Sequence, residues 1–430
     1  VMLVLEEGTD YTVDSTAYNK DAKGTYTITV KSAEDQTKTD TYSVNVVEET
    51  GFNVYDEFMI RTYRVGDKLD TENLVVKAVW SDGIEEELAK GAYSLSDTYN
   101  LNAVGAYTIS VTYGSYEAVQ IDISVVASVP VPVDGKIYVK VDMTSNVANG
   151  TKTDGVETFN TLTDAIDFLE GCDLEDNVTK VIYIAEGTYE EKVTTSLDNL
   201  VLVGEGTDKT VLTYSAVEST VDILSGEAYG LDCATLHVNG TGFMAYNLSI
   251  RNDFDYINDS AKESSPQGLA LTINGDGAVI ANCYLYGNQD TLYLKSGRAY
   301  FYRTQIDGNI DFIFGNETGL AYFEECTIKA ITKSSKQEKN NGYVTAMRAE
   351  TSNKPDYGYI FDSCTLTDDG KLAEGSMSLG RPWGPAATVA YINCNFSKAY
   401  SVAAYDGSAK SRWYDMSGNL PQNADFVEYG

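Results

Sequence analysis

The chain has 430 residues, enough for two or three domains, and its 43% hydrophobic content excludes a largely disordered polypeptide. A formal net charge of −33 argues against nucleic acid or an anionic membrane surface as a partner. No run of about 18 apolar residues occurs, so no membrane insertion is expected.

Val, Ile and Thr abound beside 32 Tyr and 36 Gly, a mixture that favours strands joined by turns. Val1 opens inside what reads as a strand with no leader visible, so the sequence reads as a segment of a longer chain, and export has to be argued from domain type. Residues 1–47 read as the end of an immunoglobulin-like module, because Gly24-Thr-Tyr-Thr-Ile-Thr-Val30 parallels Gly105-Ala-Tyr-Thr-Ile-Ser-Val111. A half-sandwich of that size is marginal alone. Residues 52–127 carry alternating strands and turn signals of a complete module, and resemble the bacterial immunoglobulin-like repeats of surface and secreted enzymes. Such modules are expected to contact a cell surface or a polysaccharide. Residues 128–135, with two prolines, read as a semi-rigid linker.

From residue 136 to 430 a second architecture is expected. A helix is predicted near 157–170, with Phe159, Leu162, Ile166 and Leu169 on one face, capping the end of a repeat core. Short strands follow, from Val181-Ile-Tyr-Ile184 and Leu200-Val-Leu-Val203 onward. The motif Cys283-Tyr-Leu recurs as Thr304-Gln-Ile and Cys326-Thr-Ile, then at Cys364 and Cys394. A period near 22 with one ladder position per repeat predicts an all-β chain: a parallel β-solenoid, preceded by immunoglobulin-like sandwiches. The later, wider spacings predict loops gathered on one face, the binding face. The cysteines read as small hydrophobes inside successive turns rather than disulfides.

Residues one period apart stack. Gln267, Gln289 and Asp311 are spaced by 22, and Asp290 adjoins Gln289, so two carboxyls and two amides should converge. Stacked Asp and Asn on a β-solenoid commonly stabilise turns. The apolar run Phe312-Ile-Phe314 after Asp311 and the paired amides favour function. The lone His237 alternates with apolar residues in a strand and reads as structural, which disfavours a Ser-His-Asp site. Gly204-Glu-Gly-Thr-Asp-Lys-Thr210 reads as a turn rather than a dinucleotide loop. No Cys/His metal spacing is present, and no cofactor is called for.

In order along the chain stand Gly187-Thr-Tyr-Glu-Glu191, Gln267-Gly-Leu-Ala-Leu271, Gln289-Asp-Thr-Leu292, Asp311-Phe-Ile-Phe-Gly315 and Leu379-Gly-Arg-Pro-Trp383. With these five motifs, residues 136–420 resemble the pectin methylesterase family. Ile250-Arg-Asn-Asp-Phe-Asp255 and Trp413-Tyr-Asp-Met-Ser-Gly418 resemble its bacterial branch. The resemblance implies a right-handed parallel β-helix, secreted or attached at a bacterial surface, that hydrolyses methyl esters of pectin without a metal. It implies Asp311 as nucleophile, Asp290 as acid and base, Gln289 and Gln267 as oxyanion donors, and Arg381 as the group that orients Asp311. It further implies Trp383, Phe314, Thr235 and Met416 along the sugar groove. Some members pair a cysteine at the position of Thr304 with the counterpart of Cys326; that pairing is lost here. The rival readings are a β-helix lyase or polygalacturonase, or a glycan-binding protein without activity.

Overall fold

The computed structural model describes residues 4–430 except 58, 97, 129, 351–356 and 408–410. The strand expected at Val1 therefore lies outside the described residues. The chain divides into two compact units, Val1–Val126 and Ala127–Gly430.

In the first unit, strands Tyr11–Asp14, Gly24–Ser32 and Thr39–Val46 form one antiparallel sheet. Ile28 is its single fully buried hydrophobic residue among those described, as a half-sandwich implies. The next strands form two facing sheets. One joins Glu49–Tyr55, Val75–Trp80 and Glu85–Glu87, and the other joins Thr62–Arg64, Val119–Val126, Gly105–Thr112 and Ser94–Leu95. Phe52, Val76, Ile109, Val111, Ile121 and Ile123 fill the space between them. The repeated Gly-x-Tyr has a physical meaning. Tyr26 Oη donates to the Ala22 carbonyl at 2.7 Å, and Tyr107 Oη to the Ala103 carbonyl at 3.0 Å, each tying a strand to the turn before it. A Cβ at Gly105 would lie 3.3 Å from the Tyr107 ring, so glycine admits the folded-back phenol.

The second unit is a parallel β-helix of three sheets, with 12, 8 and 7 strands. One coil runs through Ala278–Ala281 in the first sheet, Tyr284–Tyr286 in the second and Leu292–Leu294 in the third. The turn from first to second sheet is made by one residue in the left-handed region: Asn247, Asn282, Arg303, Glu325, Ser363 and Asn393 have φ between 47° and 57°. The residue after each points inward. Cys283, Cys326 and Cys364 are thus buried in successive coils, and Cys394 is partly buried in the next; no disulfide is found among the described residues. Their thiols donate to main-chain carbonyls at 3.3–3.4 Å. Beside them the rings of Phe301, Phe323, Phe361 and Tyr391 stack at 4.6, 4.4 and 4.5 Å.

The helix is shorter than expected, Leu162–Glu170, because Val156–Phe159 is a strand. Thr161 caps it, accepting from the Asp164 N–H. Glu191, the last residue of the Gly187-Thr-Tyr-Glu-Glu motif, accepts from the Leu162 and Thr163 N–H groups at 2.9 and 2.8 Å. That motif is a helix anchor, placing a carboxylate at the positive end of the helix dipole. Leu162, Ala165, Ile166 and Leu169 join Val139 and Val141 in the β-helix core.

Candidate active site

The long loops run from the second sheet to the third, across 215–235, 253–270 and 331–341. The first two of these loops, the outer face of the third sheet and Arg381, Trp383 and Met416 line a cavity of about 340 Å³. Within the third sheet Leu271 pairs with Leu292, and Leu292 with Ile313, an offset of 21 residues. The ladder of 22 inferred from Gln267, Gln289 and Asp311 is therefore corrected by one. Asp290, rather than Gln289, falls opposite Asp311 in the next coil. Both aspartates adopt the left-handed region, with φ of 65° and 50°, where a non-glycine residue persists only when its surroundings hold it. At Asp311 a bulge does this: the pairing of Ile310–Gly315 with Gly342–Met347 slips between Ile310 and Ile313. The slip turns the Asp311 carboxylate outward, into the cavity, ahead of Phe312 in the core.

Arg381 follows the strand Met377–Gly380, and its N–H is held by the Thr345 carbonyl at 3.0 Å. Its guanidinium lies 4.1 Å from the centroid of the Tyr343 ring. From there Nε donates to Asp311 Oδ1 at 2.9 Å and Nη2 to Oδ2 at 2.5 Å. This fork is the strong, oriented form of a carboxylate contact. Asp290 is also buried, but no such donor pairs with it among the described residues. Burial raises its pKa far above the ordinary 3.8, and the negative charges of Asp311 and Glu218 add to the effect. Burial also raises Asp311, yet the Arg381 hydrogen bonds and charge oppose it. Environment thus separates the pair: burial and neighbouring negative charge favour the neutral form of Asp290, while the Arg381 fork favours the charged form of Asp311.

Gln289 and Gln267 both line the cavity. Gln289 Oε1 accepts from Tyr256 Oη at 2.9 Å, which leaves its amide N–H groups to face inward. Tyr256 opens a one-turn helix, Tyr256–Asp259, capped by Asp255. Gln267 Oε1 is buried without a hydrogen-bond partner among the described residues. Phe314, Trp383 and Met416 also line the cavity. Phe314 is stacked on Tyr293 at 4.5 Å, and Trp383 packs against Phe314 at 6.1 Å. Thr235 does not join them: it is fully buried, and its Oγ1 donates to the Arg251 carbonyl at 2.7 Å. Its place on a groove wall is therefore corrected: it is buried and does not line the cavity. His237 is also buried, with Nδ1 3.3 Å from Asp232, and burial lowers its pKa. Sequence reasoning missed Tyr256, Glu218 and Leu231, which come from loops without periodicity. The one available signal was Ile250-Arg-Asn-Asp-Phe-Asp255, whose last residue caps the helix that carries Tyr256.

Solved proteins of similar shape carry esterase activity in their names. A pectin methylesterase from Erwinia chrysanthemi matches with a TM-score of 0.56 and 27% identity, covering 68% of this chain and 87% of its own. A pectin methylesterase in complex with a hexasaccharide matches with a TM-score of 0.56 and 26% identity, over the same shares. The fold and site thus define a right-handed β-helix carboxylic ester hydrolase. The pectinesterase family model matches residues 146–413, and the chain belongs to that family. A second model, described as a bacterial Ig-like domain of group 3, matches residues 61–125. Among relatives, a probable pectinesterase/pectinesterase inhibitor of Arabidopsis thaliana is 33% identical over 282 residues, 63% of this chain. The chain spans only 42% of that relative's length.

Proposed function

We propose that this chain hydrolyses methyl esters of polygalacturonate outside a bacterial cell. The observation that carries this reading is the Arg381 fork on Asp311 beside the buried Asp290 in one cavity. Asp311 attacks the ester carbonyl carbon, and the carbonyl electrons move to oxygen. Amide N–H groups of Gln289 and Gln267 donate to that oxyanion, a contact typically worth roughly 3 kcal/mol per donor in the transition state. As the tetrahedral intermediate collapses, the carbon–methoxy bond breaks and Asp290 protonates the departing methanol. An acyl anhydride with Asp311 remains. Asp290, now ionised, takes a proton from water as the hydroxide adds to the substrate acyl carbon. Collapse frees Asp311 and a galacturonic acid, which loses its proton to solvent. Nucleophile, acid, base and oxyanion donors are all side chains of this chain. Phe314 and Trp383 offer ring faces to the sugars, with Met416 beside them. The immunoglobulin-like match and a polysaccharide substrate support a role for the N-terminal modules in contacting a surface or the polymer.

The test is methanol release from highly methylated, short, soluble galacturonate oligomers with EDTA present. Wild type should release methanol without shortening the chain, and Asp311→Ala should lose at least about a thousandfold in kcat. Chain scission, or dependence on added calcium, would favour a lyase or polygalacturonase instead.

A further inference from the structure

One lining residue has no part in the reaction proposed above. The backbone of Glu218 is fixed on both sides: its N–H donates to the Gln267 carbonyl at 2.9 Å, and its carbonyl accepts from the Gly230 N–H at 2.9 Å. The side chain lines the cavity with Leu231, Gln267 and Asp290. No protein group among the described residues pairs with its carboxyl. Its charge acts on Asp290, whereas the charge acting on Asp311 is that of Arg381, so Glu218 stands on the Asp290 side of the pair. With Arg381 pairing Asp311, Glu218 is a carboxyl of the cavity that no cation pairs among the described residues; partial burial raises its pKa above the ordinary 4.5, so its charge is tested at neutral pH or above. The volume, about 340 Å³, is larger than an ester group needs and leaves room for a neighbouring sugar substituent.

Resting on the esterase reading, we propose that Glu218 is a specificity-determining residue whose carboxylate repels a free uronate carboxylate beside the reacting ester. The enzyme then works best inside fully methylated stretches and slows where neighbours are already de-esterified. Repulsion between two anions at the rim of a protein cavity amounts to several-fold in affinity and is screened by salt.

The experiment compares kcat/KM for methanol release from a fully methylated galacturonate hexamer and from the same hexamer with about half its esters removed. Glu218→Gln should raise the ratio of half-methylated to fully methylated substrate roughly fivefold, mainly through KM. Glu218→Asp, which keeps the charge, should stay near the wild-type ratio. Sodium chloride at about 0.5 M should raise the ratio for wild type and leave Glu218→Gln flat. Should Glu218→Gln fail to fold, Glu218→Ala carries the same comparison. A neutral variant that changes both substrates by one factor and keeps the wild-type salt response would overturn the proposal; Glu218 would then act only through its field on Asp290. A wild type that releases no methanol from either hexamer would overturn the esterase reading itself.

Discussion

At the residue scale, the proposed mechanism gives two aspartates opposite tasks, and their surroundings differ accordingly. Asp290 is buried, unpaired by any cation among the described residues, and held at φ 65°. Its pKa is raised on folding, so the sign is fixed: it takes up a proton when the chain folds, and stability falls as pH rises above the unfolded value near 3.8. Asp290→Asn removes that cost and places the best-suited non-glycine residue in the left-handed region. The variant should lose methanol release while its Tm rises by roughly 2 °C at pH 7, with less gain at pH 4, as thermal melts would show. Arg381→Ala acts on the other partner. Without the fork, burial is no longer opposed and the Asp311 pKa climbs further. The acidic limb of the pH–rate profile should therefore move to higher pH; an unmoved limb would remove the coupling between the two residues. These four polar groups, Gln289, Asp290, Asp311 and Arg381, were legible because each sits in a short motif fixed by the coil. Tyr256 and Glu218 were not, since loop residues announce no spacing.

Elements follow a simpler rule, a nearly constant coil with one left-handed residue at each corner. The repeated apolar position at Cys283, Thr304 and Cys326 was readable because the next residue of every corner must point inward. What the sequence left ambiguous was the count: a period of 21 and one of 22 differ by a turn residue, and the third sheet takes 21. The helix boundary slipped for a related reason. Phe159 packs into the same core as Leu162 and Ile166, yet it does so from a strand that pairs with Lys136–Val141. Pattern alone sees the shared core and not the pairing. The ring stack gives this scale its prediction. Phe323 lies between Phe301 and Phe361 at 4.6 and 4.4 Å and is fully buried. Phe323→Ala should cost about 3–5 kcal/mol, measured by denaturant unfolding. Turnover of the molecules that remain folded should change little, because the stack faces away from the third sheet's outer surface.

For the whole molecule, every lining residue of the cavity lies between Glu218 and Met416, and the β-helix core draws on residues from Ile137 onward. A chain starting at residue 127 should therefore fold and keep its kcat/KM on soluble hexamers within about twofold; a folded but inactive product would show that residues 1–126 complete the site. The Arg381 fork has one more consequence, in the order of synthesis. Asp311 leaves the ribosome 70 residues ahead of the arginine that keeps it charged. The strand that Arg381 follows, Met377–Gly380, is also two places from that of Asp311 in the third sheet, with Gly342–Met347 between them. Until residues through Arg381 have emerged and that intervening strand is in place, Asp311 lacks its guanidinium partner. The Asp311–Arg381 pair is therefore completed only late in biosynthesis, when the coils after Asp311 are in place.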